Sequence, residues 1–152
     1  MKTKKFGKIH TYSLLVVFLF IAIISCDKNP YNDNSRLLGT WENPKYSGET
    51  YIYDGITFTS SGSYKMKVKS IIWSSDASGI IYGRYITNSF YTNVVGKYYA
   101  VSFKDLTYSS VSISGAYKKD GKIATDSLVE AITEFTINNG YYSLYSSCKK
   151  VK

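Results

Sequence analysis

Residues 50–69 read TYIYDGITFTSSGSYKMKVK, and this stretch decides the fold class. Its first ten residues are mostly β-branched or aromatic. Such side chains suit a pleated, half-buried strand and lose rotamer freedom in a helix. Asp54-Gly55 interrupts the run as a bulge or a turn, and Ser60-Ser61-Gly62 is turn chemistry. Residues 64–69 then alternate: Tyr64, Met66 and Val68 fall on one face, and Lys65, Lys67 and Lys69 on the other. The stretch predicts antiparallel strands with one wet side.

The same signals continue outward. Residues 80–87 (IIYGRYIT), 97–103 (KYYAVSF), 106–117, 129–137 (VEAITEFTI) and 141–151 read as further strands. Val129, Ala131, Thr133, Phe135 and Ile137 alternate in the fourth of these. Asp120-Gly121 and Asn138-Asn139-Gly140 supply turns that tolerate positive φ. Helical signal is confined to a short turn within 123–131, with Asp126 or Ser127 as its cap. The sum is eight to nine short antiparallel strands, which close into a barrel or fold as a sandwich. Residues 74–79 (SSDASG) and 88–96 (NSFYTNVVG) are expected to be mouth loops, where partner contacts concentrate.

Composition narrows the function. With 152 residues the chain holds one domain. Two Cys exclude a disulfide-rich scaffold, and one His excludes a multi-His metal site. The net charge of +8 invites a nucleic-acid partner until it is located along the chain. Lys2, Lys4, Lys5 and Lys8 precede residues 14–24, LLVVFLFIAII, an unbroken apolar run. At ~1.5 Å per residue this run covers about half of a ~30 Å hydrocarbon core, too little to span it. It suits the apolar region of a signal peptide.

Ile23-Ile24-Ser25-Cys26 resembles a bacterial lipobox, the cleavage and lipidation motif of lipoprotein signal peptides. The resemblance implies a signal peptide over residues 1–25 and a lipidated Cys26 as mature N-terminus. A flexible tether would follow over 26–36, with the folded domain over 37–152. Two or three acyl chains hold a protein stably on a membrane, where one holds it only marginally. The implied location is the cell envelope, on the outer membrane where the cell has one. Cleavage would remove four of the 19 basic residues and none of the 11 acids, so +8 becomes +4. His10 leaves too, and Cys148 becomes the one cysteine outside the anchor. No nucleic-acid partner, metal, cofactor or catalysis is expected, since histidine-based triads and metal sites lose their histidine.

Leu37-Leu38-Gly39-Thr40-Trp41 resembles the Gly-x-Trp signature that opens lipocalin-like barrels. Phe58 with Gly62 and Tyr64 resembles the F-x-x-x-G-x-Y hairpin of small bacterial lipocalin-like lipoproteins. The resemblance implies an all-β, antiparallel, eight- to nine-stranded lipocalin-like barrel. Gly39 and Trp41 would form its closed end, with a basic residue near the last strand, Lys149 or its neighbour Lys150, over the indole. Such a barrel would bind a small apolar ligand without catalysis. Alternatively, it would be solid and contact other proteins or glycans. Fifteen of the 16 Tyr lie after the signal. Pairs such as Tyr98/Tyr99 must point to opposite faces, some toward an interior ligand and some outward. Lys65, Lys67 and Lys69 read as a solvated strand edge. Glu130 and Glu134 read as one solvated strand face, and Cys148 as a packing residue.

Overall fold

The computed structural model describes residues 33–151. Ile23, Ile24, Ser25 and Cys26, with the signal and lipidation expectations they carry, lie outside the described residues. Eight strands follow in order: β1 (Gly39–Glu42), β2 (Thr50–Tyr53), β3 (Thr57–Ser60), β4 (Tyr64–Ser75), β5 (Ser78–Asn88), β6 (Tyr98–Lys104), β7 (Ser110–Gly115) and β8 (Ser146–Lys150). Each pairs antiparallel with the next. β8 returns to β1 through Trp41 opposite Lys150 and Glu42 opposite Lys149, so the sheet closes on itself. The domain is an all-β, lipocalin-like barrel of eight strands.

An up-and-down barrel has two distinct ends. The chain enters β1 at one of them, and the β2–β3, β4–β5 and β6–β7 turns lie at that same entry end. The β1–β2, β3–β4 and β5–β6 connections and the long β7–β8 connection lie at the other. A 3-10 turn, Asn34–Leu37, lies at the entry end. Asp33 caps it by accepting from the Ser35 N–H at 2.9 Å. Arg36 ties it to the neighbouring turns, donating to the Asp76 carbonyl and, at 3.2 Å, to the Leu106 carbonyl. Asn34 accepts from the Trp73 indole at 2.9 Å. Residues 34–36 therefore belong to the domain and not to the tether expected over 26–36.

Three further expectations are corrected. Residues 74–79 form no mouth loop. β4 and β5 run on to a tight turn at Asp76-Ala77, where Ser78 Oγ meets Ser74 Oγ at 2.9 Å and Ser75 Oγ at 2.7 Å. The last strand is also shorter than 141–151, beginning only at Ser146.

The third correction concerns residues 129–137, which are not a strand. Leu128–Glu134 is a helix, α1. Ser127 caps it, accepting from the Glu130 N–H at 3.1 Å, and Glu130 reaches back to the Asp126 N–H at 3.3 Å. Ser127-Leu128-Val129-Glu130 is thus a capping-box sequence. Leu128, Ala131, Ile132 and Phe135 recur at helical spacing, and all four belong to the core or pack against it. The period-two reading would bury Val129 and Ile137, yet they are 74% and 56% exposed. Tertiary burial and the cap together override the branched residues' strand preference. α1 packs against β5 and β6.

Candidate functional site

The barrel interior and its two ends are where a lipocalin-like fold would hold a ligand. At the entry end, Gly39 adopts φ 128°, open to glycine, and the chain then turns into β1. Trp41 is buried, and its indole N–H donates to the Leu37 carbonyl at 2.9 Å. The ammonium of Lys150 lies 5.0 Å from the Trp41 ring centroid. Lys150, and not Lys149, is therefore the cation of this motif. Strand alternation decides between them. Cys148 points inward, so Lys149 points out, opposite Glu42 and Ser110, and Lys150 returns to the side of Trp41.

Above Trp41 the interior is filled. Leu37, Phe58, Ile81, Val101, Phe103 and Ile113 surround an apolar cavity of about 10 Å³. That is room for about one water-sized sphere, and the lining is almost wholly apolar. An eight-stranded barrel is just wide enough for side chains to fill, and these side chains fill it. This cavity is far smaller than the ligand chamber the resemblance implies.

The opposite end is built from tyrosine. Tyr64 sits edge-on to Tyr85 and Tyr99, at 5.6 and 5.4 Å between ring centroids, and Tyr85 stacks on Tyr99 at 5.0 Å. Phe135, brought in at the end of α1, closes on Tyr99 at 5.8 Å and on Tyr141 at 5.0 Å. Most of the hydroxyls are engaged within the protein. Tyr99 donates to the Ala116 carbonyl at 3.1 Å, and Tyr82 and Tyr142 both donate to the Phe135 carbonyl at 3.2 Å. Gly115 makes the first of these bonds possible, because a Cβ there would stand 2.6 Å from the Tyr99 oxygen. Burial pushes the Tyr64, Tyr85, Tyr99 and Tyr142 hydroxyls well above the ordinary phenol range. They stay protonated, and Tyr99 and Tyr142 act as hydrogen-bond donors to fixed carbonyls.

Glu49 is a carboxylate at this end held by three side-chain donors. It lies between the β1–β2 loop and β8, accepting from Tyr51 Oη at 2.7 Å, from Asn43 Nδ2 at 2.6 Å and from Ser146 Oγ. Burial alone would raise its pKa, but the hydrogen bonds from Ser146, Tyr51 and Asn43 outweigh it and hold the carboxyl below the ordinary glutamate value. Burial first, and then the Glu49 charge, push the nearby Cys148 thiol up to about 11. The thiol is buried and donates weakly to the Ser146 carbonyl at 3.5 Å, so thiolate chemistry is suppressed at neutral pH. The Glu49 cluster escapes sequence reading because Ser146 is 97 residues away.

Glu130 and Glu134 lie one turn apart on α1. The first pairs with Lys122, and the second accepts from the Tyr141 hydroxyl. Both serve to hold the β7–β8 connection. Among the described residues no cluster of three His, Cys, Asp or Glu side chains is placed to hold a metal ion. No family model, curated protein or solved structure matches this chain.

Proposed function

We propose that this chain is an envelope lipoprotein whose solid barrel works through its outer surface, as a non-catalytic module contacting other proteins or glycans. The observation that carries the reading is the filled interior, with a residual cavity of about 10 Å³ and tyrosine hydroxyls engaged by backbone carbonyls. A surface-acting barrel needs no chamber. Rigid closure serves it by presenting loops and strand faces in fixed positions.

The tether half of the proposal rests on Ile23-Ile24-Ser25-Cys26. Replacing Cys26 by Ser should abolish [³H]palmitate incorporation and move the protein from the detergent phase to the aqueous phase. Unchanged labelling and partitioning would remove the anchor. The surface half is tested by native mass spectrometry of the purified full chain. The expected mass is that of the acylated polypeptide alone, and a stoichiometric co-purified small molecule would overturn it.

A further inference from the structure

Lys65, Lys67 and Lys69 run along β4, and Arg84 stands on β5 directly opposite Lys67 in the ladder. Thr57 faces Lys67 from β3, Thr59 faces Lys65 from β3, and Thr87 faces Lys65 from β5. Lys67, Lys69 and Arg84 are exposed, and Lys65 is half-buried. Neighbouring strands lie ~4.8 Å apart and alternate residues ~7 Å apart, so four cations share a patch on the order of 10 by 15 Å.

Barrel stability does not account for this patch. Like charges directly opposite in a ladder weaken it. Lysines commonly guard an open strand edge, but the closed barrel has no edge and β4 is paired on both sides. Nor do acidic groups answer the cations. The ion pairs among the described residues are Lys97 with Asp126 and Lys122 with Glu130. Asp54 feels Lys65 only weakly. Its carboxylate is already engaged by the Ile56 N–H at 2.8 Å, the Thr57 N–H at 2.5 Å and Thr57 Oγ1 at 2.7 Å. Arg84 is also oriented in advance. Its Nε donates to the Gly96 carbonyl, and Gly96, at φ +87°, leaves space where a Cβ would stand 3.2 Å from Nη2. The terminal nitrogens make no hydrogen bond to the described residues. A guanidinium held in this way suits a planar carboxylate or a sulfate.

We infer that the outer face of β3, β4 and β5 binds an acidic polysaccharide. The inference rests on the surface-acting reading above and names its partner. Cations interleaved with the hydroxyls of Thr57, Thr59 and Thr87 match a polymer that alternates acidic groups with hydroxyls. The face lies on the side wall of the barrel, where an extended chain can run along β4 without entering either end.

The test uses the full chain in a neutral detergent, with dextran sulfate as probe and uncharged dextran of the same length as control, at 150 mM salt. Dextran sulfate should bind and dextran should not. Lys67→Thr with Arg84→Thr should weaken binding at least about tenfold. Lys45→Thr with Lys119→Thr removes the same charge elsewhere and should change it less than about twofold. Lys67→Thr alone should keep or raise the thermal midpoint, because it removes a like-charged neighbour. Unchanged binding by the Lys67/Arg84 variant, or equal weakening by both double variants, would overturn the inference. So would mixed micelles of phosphatidylglycerol and the same detergent that bind through Lys67 and Arg84 where dextran sulfate does not. A co-purified small molecule in the same preparation would sink the surface-acting reading itself, whatever dextran sulfate does.

Discussion

At the entry end of the barrel, Leu37, Trp41, Phe58 and Phe103 meet aliphatic side chains around a space of about 10 Å³. At the opposite end Tyr64, Tyr85, Tyr99 and Phe135 pack ring on ring, and the Tyr82, Tyr99 and Tyr142 hydroxyls reach carbonyls of the β7–β8 connection. The first seal works mainly by burial area, with one directed bond from the Trp41 indole to the Leu37 carbonyl. The second works by directed hydrogen bonds, so it also fixes where α1 and its flanking chain lie. An apolar plug tolerates small changes of shape, whereas a directional seal fails when one donor is displaced.

The largest effect should come from removing the plug. Trp41→Ala deletes a fully buried indole, leaves the Leu37 carbonyl without its donor and opens a cavity. Large-to-small changes of this kind cost about 3–5 kcal/mol. Chemical denaturation should show this loss, and the enlarged cavity should take up an apolar dye that the parent excludes. Loss of stability below ~1 kcal/mol would mean that the entry end is not what holds the barrel together.

A smaller but more specific effect is expected at the tyrosine end. Gly115→Ala places a Cβ 2.6 Å from the Tyr99 oxygen, and that ring cannot swing away because it is stacked on Tyr85 and edged by Tyr64. Overpacking of this sort costs about 1–3 kcal/mol. Tyr99→Phe removes the colliding oxygen, so the double variant should be more stable than the sum of the two single losses. A double-mutant cycle on urea midpoints reads this coupling directly. Simple additivity would show that Gly115 is free for reasons unrelated to Tyr99.

These two ends were not equally legible in the amino-acid sequence. Gly39 and Trp41 announce the plug through a short motif, and alternation in β4 places Met66 inside and Lys67 outside by period alone. The tyrosine end depends on contacts that no local pattern holds. Tyr64 on β4 meets Tyr99 on β6, and Glu49 meets Ser146 across 97 residues of chain. α1 was legible in principle from Ser127 and Glu130, but Val129, Ala131 and Thr133 offer a strand period at the same positions. Packing of Leu128 and Ala131 on the barrel decides between the two, and that packing is a property of the closed sheet. The choice of Lys150 over Lys149 likewise needed the register of β8 against β1.

Glu49 links stability to pH at the tyrosine end. Its folded pKa lies below the unfolded value because Ser146, Tyr51 and Asn43 donate to the carboxylate. The stabilisation is therefore complete above the unfolded glutamate value near pH 4–5, and it is lost as pH falls through the lower folded value. Glu49→Gln should cost about 1–2 kcal/mol at neutral pH, because one acceptor of three charge-assisted bonds becomes a donor. It should also flatten the acid limb of a plot of unfolding free energy against pH. An acid limb unchanged by Glu49→Gln would assign that slope to other carboxylates.

The smallest effect separates two adjacent lysines at the entry end. Lys150 holds its ammonium 5.0 Å from the Trp41 centroid, while Lys149 lies on the outer face opposite Glu42. A cation over an indole at a partly exposed site contributes about 0.5–1 kcal/mol, and an exposed cross-strand pair of opposite charge contributes no more. Lys150→Met keeps the stem that covers the ring and removes the charge, so it should shift the urea midpoint slightly and redden Trp emission little. Lys149→Met should leave Trp41 emission untouched and lose its small effect in 1 M salt, where screening removes an exposed pair but not a contact sheltered against the indole face. Equal salt sensitivity of the two variants would mean that Lys150 acts only as surface charge, and that Trp41 closes its end by packing alone.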